Sequence, residues 1–235
     1  MLQLIKKDLL VSLKVKSLKI VILTFLVGLF LLSIFSFIFP TILPIIFTYM
    51  IVMNSFYYDS LNNSESYMMS VPNKREDVVY SKYILVILIL FLSNILMYLF
   101  YGINILNSVR TIVLQDMIVS SLTILFSFSI ILPITFKYRY KVSRIIAPFI
   151  TIAIGYLSHS SSTINKFIEN GTETILISLS RKIGVIIYRI FNFNNYDYKV
   201  LAVTIYIILL FMIAIFIFLV SMYISSKIYE KRDIG

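Results

Sequence analysis

The chain has 235 residues, 60% of them hydrophobic and 14% charged, with a mean hydropathy of +0.95. Soluble domains carry about 45–50% apolar and about 25% charged residues, so this composition describes an integral membrane protein of a size that suits one bundle of helices. The net charge is +10, and the absence of cysteine and the single histidine exclude disulfides, thiol catalysis, cysteine-ligated metals and histidine-rich metal clusters.

In chain order, residues 1–19 carry five lysines and one acid. Leu2, Ile5, Leu9 and Leu13 recur at helical spacing, with Lys7 and Lys14 on the other side. The pattern predicts a basic amphipathic helix on a membrane surface. A secretory signal peptide is the rival, but the next apolar run is too long and no small-residue cleavage site follows it. Six spans are predicted: 20–37, 40–58, 83–103, 117–136, 145–158 and 200–224. Most approach the ~20 residues that cross the hydrocarbon core. Pro44, Pro133 and Pro148 fall inside spans, and the fifth is short.

Six spans put both termini on one side. Fifteen of the 21 cations then fall on that side, in 1–19, 74–82, 137–144 and 227–232. The bias of positive charge toward the cytoplasm predicts cytoplasmic termini. It accounts for the basic balance through topology and anionic lipid rather than nucleic acid. The outer segment 159–199 holds an amphipathic pattern, with Ile175, Leu179, Ile183, Ile186 and Ile190 on one face and Ser178, Arg181, Lys182 and Arg189 on the other. With three cations it is a poor spanning helix and is expected to be interfacial or re-entrant. The fold class is therefore all-α and polytopic. It forms one transmembrane domain over 1–235, with an amphipathic helix at 1–19, a cytoplasmic segment at 59–82 and an outer segment at 159–199.

The cytoplasmic segment has specific punctuation. Asn62, Asn63 and Ser64 supply turn chemistry, and Ser64 can cap a short helix from Glu65 to Ser70. Pro72 ends that helix, since it lacks an N–H and clashes with the preceding turn. Asn73 begins another, with Glu76 in the reciprocal capping-box position, and this second helix runs from Lys74 into the third span. One reading is an ordinary loop with tidy helix ends. The other is a docking element, because Tyr67, Met68 and Met69 make an adaptable apolar surface in an otherwise polar segment.

Chemistry inside the spans is sparse. As drawn, they hold no Asp, Glu, Lys, Arg or His, which disfavours ion-coupled transport and intramembrane proteolysis. His159 stands at a membrane edge, and an interfacial polar role suits it better than catalysis. No phosphate-cradling Gly-x-x-x-x-Gly-Lys motif occurs. No catalytic, cofactor or metal site is expected. Asn54 and Asn94 are expected to join helices by hydrogen bonds rather than to contact substrate.

The order of parts resembles the permease subunits of ABC-2 type transporters. A basic amphipathic helix that opens LIKKDLL leads into two closely joined spans, and ESYMMSVPNKREDVVYSKYI enters the third. The departure is Met69-Ser70-Val71-Pro72-Asn73, where that family more often has Leu-Pro followed by Val/Thr-Ser/Asn, which leaves the helix start open. The resemblance implies that Glu65, Ser66, Tyr67, Met68, Met69 and Ser70 form a coupling helix docked in a separate ATPase. Asn73, Arg75 and Glu76 would start a transmission helix, and Arg181, Lys182 and Arg189 would flank an outer gate. It also implies a bacterial cytoplasmic-membrane location, two ATPase subunits that bind ATP and Mg, and a second permease copy or paralogue. Among small permeases of this sort it looks most like those that export phenol-soluble modulins in staphylococci, so an amphipathic peptide is the implied substrate. Alternatives are another substrate, such as a lipid, an antibiotic or a bacteriocin, and a membrane immunity or scaffold protein that transports nothing.

Overall fold

The computed structural model describes residues 2–12, 39–61, 75–102, 114–160, 178–179, 182–183, 185 and 198–231. They form five main helices: α1 Leu2–Ser12, α2 Phe39–Leu61, α3 Arg75–Gly102, α4 Leu114–Ser160 and α5 Tyr198–Glu230. Among the described residues, three stretches are long and apolar enough to cross a membrane: Arg75–Tyr98, Met117–Tyr138 and Thr204–Glu230. The expected second and fifth spans are also helical, within α2 and the end of α4, but are not among those three. The expected first span, 20–37, lies outside the described residues.

Helix α3 runs unbroken for 28 residues, with Glu76 and Asp77 in its first turn, where carboxylates complement the helix dipole. Its buried stripe follows helical spacing through Val79, Lys82, Tyr83, Val86, Ile89, Leu90, Ser93 and Met97. The opposite face, with Leu88, Phe91, Ile95 and Tyr98, is exposed. Helix α5 buries one narrow stripe, Ala214, Phe218, Ser221, Ser225 and Tyr229, and leaves the rest of its apolar surface open. Val52 and Phe56 of α2, Val86 of α3, Phe128, Leu132 and Phe136 of α4, and Phe218 and Tyr229 of α5 pack into one cluster.

Helix α4 has 47 residues and carries both the fourth and fifth expected spans. A straight helix of that length would extend about 70 Å. It is not straight. A Cβ built on Gly155 would lie 4.0 Å from Cγ2 of Thr123, although 32 positions along a straight helix span about 48 Å. Ile131 and Ala147 likewise share one apolar cluster with Met53. Both pairs are symmetric about residue 139, so α4 folds back as a hairpin with its tip in the cationic stretch 137–144. That stretch contains neither Pro nor Gly, and its residues stay in helical conformation up to the tip and beyond it.

The arms approach closely because the second presents Ala147, Thr151 and Gly155 at four-residue intervals. Small residues at that spacing let helix backbones draw together in a membrane. Thr151 hides its hydroxyl on the carbonyl of Ala147 at 2.6 Å. The 4.0 Å gap at Gly155 is ordinary van der Waals distance, so a methyl group fits. Alanine is favoured over glycine in helix interiors by about 0.8–1.0 kcal/mol. Gly155→Ala is therefore expected to stabilise the protein by up to about 1 kcal/mol, seen as a higher thermal midpoint in detergent. A lower midpoint would mean that the arms cannot accept a methyl group there.

Within lipid, helices gain little from apolar contact alone, and hydrogen bonds across them contribute roughly 0.6 kcal/mol on average. This bundle uses several. Asn94 of α3 donates to Ser121 at 3.0 Å and accepts from Ser120 at 3.2 Å, joining α3 to α4 as expected from sequence. Thr48 of α2 donates to Ser93 of α3 at 3.3 Å. Asn54, the other expected joint, is half-buried and makes no side-chain hydrogen bond among the described residues.

Pro133 lacks an N–H, which leaves the carbonyl four residues earlier, at Ser129, without its helical donor. Ser221 of α5 donates to that carbonyl at 2.6 Å. Its hydrogen committed there, Ser221 accepts from the Tyr83 hydroxyl at 2.7 Å, and Tyr83 in turn accepts from Ser225 at 2.8 Å. One buried relay thus joins α3, α4 and α5.

Candidate functional site

The described parts of the expected cytoplasmic cation clusters meet at one end of the bundle. Lys82 of α3 lies against Asp8 of α1. Phe136, beside the α4 tip, meets Tyr229 near the end of α5, and Tyr57 near the end of α2 meets Tyr140. Arg75, the first residue of α3, donates to the carbonyl of Glu230, the last of α5, at 2.7 Å. The terminal carbonyls of a helix have no partner within it, and a cation there also complements its dipole.

Four charged side chains close a ring at this end. Lys7 Nζ lies 2.9 Å from Asp59 and 3.3 Å from Asp8. Lys82 Nζ lies 2.6 Å from Asp59 and 2.9 Å from Asp8. The charges alternate around the ring and sum to zero. Each helix contributes through position: Lys7 and Asp8 are neighbours on α1, Asp59 is in the last turn of α2, and Lys82 is two turns into α3. Lys82 is 2% exposed. Its ammonium has three donors, and it donates to Asp8, Asp59 and the Ser55 hydroxyl. The Phe56 ring lies 4.8 Å from it. Burying an ammonium costs several kcal/mol unless opposite charge and good geometry offset it, and here every donor is used.

The structure differs from the sequence expectation at Lys7, expected on the face of α1 opposite its apolar stripe, which turns inward to Asp59. Lys82, a cation of the cytoplasmic segment by sequence, is buried within the apolar stretch Arg75–Tyr98. Asp59 and Lys82 each sit one residue beyond a span as drawn, so a count restricted to spans misses them. The signal available was Asp8, the lone acid among the lysines of residues 1–19.

Two members of the ring, Lys7 and Asp59, are held in their charged forms. Burial would raise the Asp59 carboxyl, but Lys82 and Lys7 outweigh it and hold it below its ordinary 3.8. Burial would lower the Lys7 ammonium, but Asp59 and Asp8 outweigh it and hold it above its ordinary 10.5. A depressed carboxyl stabilises the fold above its unfolded value and stops doing so as pH falls through the folded one. A raised ammonium stabilises the fold below its unfolded value and stops doing so as pH rises through the folded one. The contribution of these two groups is therefore expected to be flat between about pH 5 and 9, with losses only outside that window. Thermal midpoints across pH for the wild type and for Asp59→Asn check this. A difference between them that changes within the window would contradict it.

Of the residues singled out from sequence, Arg75 and Glu76 open α3, and Arg75 ties it to α5. Lys182 is exposed and helical. Glu65, Ser66, Tyr67, Met68, Met69, Ser70, Asn73, Arg181 and Arg189 lie outside the described residues, as does the side chain of His159. Helix α2 ends two residues after Asp59 and α3 begins seven residues before Lys82, and those two side chains are bonded to each other.

A family profile described as ABC-2 family transporter protein matches residues 3–181. The chain belongs to the ABC-2 transporter family. No curated protein and no solved structure matches it. The matched region of this ABC-2 protein takes in α1 to α4, all four ring residues and the segment 62–74. Membership makes the chain a permease subunit of an ABC transporter and implies partner ATPases. As an ABC-2 permease it is a membrane component of the machine, and the ring joins α1, α2 and α3.

Proposed function

We propose that this permease is the membrane subunit of a bacterial exporter that moves amphipathic or hydrophobic peptides, of the phenol-soluble modulin type, out of the cytoplasm. Residues 65–70 dock in a partner ATPase, and α3 carries the resulting motion into the membrane. The chain makes six spans with cytoplasmic termini. It works as a pair with a second copy or a paralogue, alongside two ATPases that bind ATP and Mg. Residues 181–189 guard the outer end. The observation that carries this reading is the bond between Asp59 and Lys82 at 2.6 Å, which fixes both flanks of the segment 62–74 at one end of the bundle. The peptide substrate is favoured by the scarcity of charge in the spans, by their Phe, Tyr and Met content, and by the family resemblance. ATP must bind one arrangement of the transporter better than the other for any of this to move.

The test is co-expression with the ABC ATPase of a neighbouring reading frame, purification in lipid nanodiscs, and ATPase assays with amphipathic helical peptides, phospholipid and a neutral sugar. A stable complex whose ATPase rises severalfold with peptide alone is the expected result. A complex stimulated by lipid instead would keep the permease and replace the substrate. An unstimulated permease that nevertheless protects cells from the peptide would favour an immunity role.

A further inference from the structure

The charge ring lies where α1 meets the end of α2 and the start of α3, the two helices that flank residues 62–74 and are called its legs below. We propose that Lys7, Asp8, Asp59 and Lys82 are positioning residues, whose ring makes α1, the end of α2 and the start of α3 one lever, so that displacement of the segment 62–74 moves all three helices together. The proposal rests on the reading that this segment takes the thrust of a partner ATPase.

The argument is geometric. A loop pushed from outside can dissipate the push if its two legs move independently. Here the α2 leg is pinned to the α3 leg through Asp59 and Lys82 at 2.6 Å. Each leg is pinned separately to α1, by Lys7 with Asp59 at 2.9 Å and by Asp8 with Lys82 at 2.9 Å. Three bodies joined pairwise by short contacts cannot rotate apart without breaking at least two of them. Breaking them would expose Lys82 and Asp8, each about 2% exposed at the side chain, to an environment unable to solvate a charge fully. The ring thus resists separation and bending while contributing no net charge. Helix α1 is short and amphipathic, and carries exposed Lys6 and Leu10 on its outer side. A lever that includes α1 would therefore extend to the membrane surface.

Because the protein has no cysteine, paired labels report these distances cleanly. Leu10 on α1 and Leu61 at the end of α2 are 61% and 57% exposed. Leu10→Cys with Leu61→Cys carries two spin labels. Distance distributions are measured for the permease alone in nanodiscs, and for the ATPase complex both nucleotide-free and trapped with ADP and vanadate. The expected wild-type result is one narrow distribution, the same in all three states. Lys82→Gln is expected to at least double its width in the permease alone, and Lys82→Arg to keep it narrow. Where Lys82→Gln does not fold, Lys7→Gln removes two edges of the ring at its partly exposed corner and is expected to broaden the distribution likewise.

A wild-type distance that shifts between nucleotide states would show that α1 leaves α2 during turnover and would overturn the lever. Unchanged widths in Lys82→Gln, or in Lys7→Gln, would overturn it too. The permease-alone arm needs no ATPase, so failure to form a complex counts against the exporter reading and leaves the ring to be judged by the distributions.

Discussion

Lys82→Met is expected to destabilise the permease by about 3–5 kcal/mol, the range found when one partner of a buried ion pair is removed. The lost ammonium leaves Asp8 and Asp59 facing an apolar replacement, with Asp8 2% exposed at its side chain and Asp59 11%. Lys7 remains bonded to both, but it is 32% exposed and sits at the rim, so it cannot replace three inward donations. The loss should appear as a large fall in thermal midpoint in detergent and in the yield of folded protein. It should be partly recovered by Lys82→Met combined with Asp8→Asn and Asp59→Asn, because both buried carboxylates are then neutral and only Lys7, at the 32% exposed rim, loses its partners. That recovery separates the penalty of a stranded carboxylate from the intrinsic value of the ring, which is smaller. A Lys82→Met protein as stable as wild type would show that the ammonium is not in the interior.

The second large effect is on function. Met68→Asp is expected to abolish stimulated ATPase activity in the complex, by at least about tenfold, while membrane insertion and the thermal midpoint of the permease stay unchanged. On the proposed docking role, Tyr67, Met68 and Met69 are the apolar residues that enter the partner, and a carboxylate carried into a docked apolar groove must either lose its hydration or undock. Ala at the same position should retain part of the stimulation, since it removes contact without adding charge. The measurement is nucleotide turnover of the purified complex with and without amphipathic peptide. Wild-type stimulation in Met68→Asp would remove the docking role from 65–70.

Both predictions bear on what was legible in the sequence. The apolar runs placed α3, the two arms of α4 and α5 because long stretches without charge admit few other solutions. The cations at 137–144 marked a turn between two spans, and the approach of Thr123 to Gly155 shows that turn. Asn94 was legible as a joint because a lone amide in an apolar run needs a partner. The ring was not legible, because its members look solvated when each is judged by its neighbours in sequence. Asp59 and Lys82 sit at span ends beside polar residues, and only the third body, α1, closes over them. The relay from Pro133 through Ser221 was hidden for a similar reason. A proline inside a span announces an orphaned carbonyl, but nothing local says which distant hydroxyl will meet it.

That carbonyl has a consequence for how the protein is made. Ser129 and Ser221 are 92 positions apart, so the stretch holding Pro133 is synthesised well before the hydroxyl that meets its freed carbonyl. A product truncated before α5 would lack that donor. Docking of α5 therefore completes the backbone hydrogen bonding of α4 as well as the apolar packing.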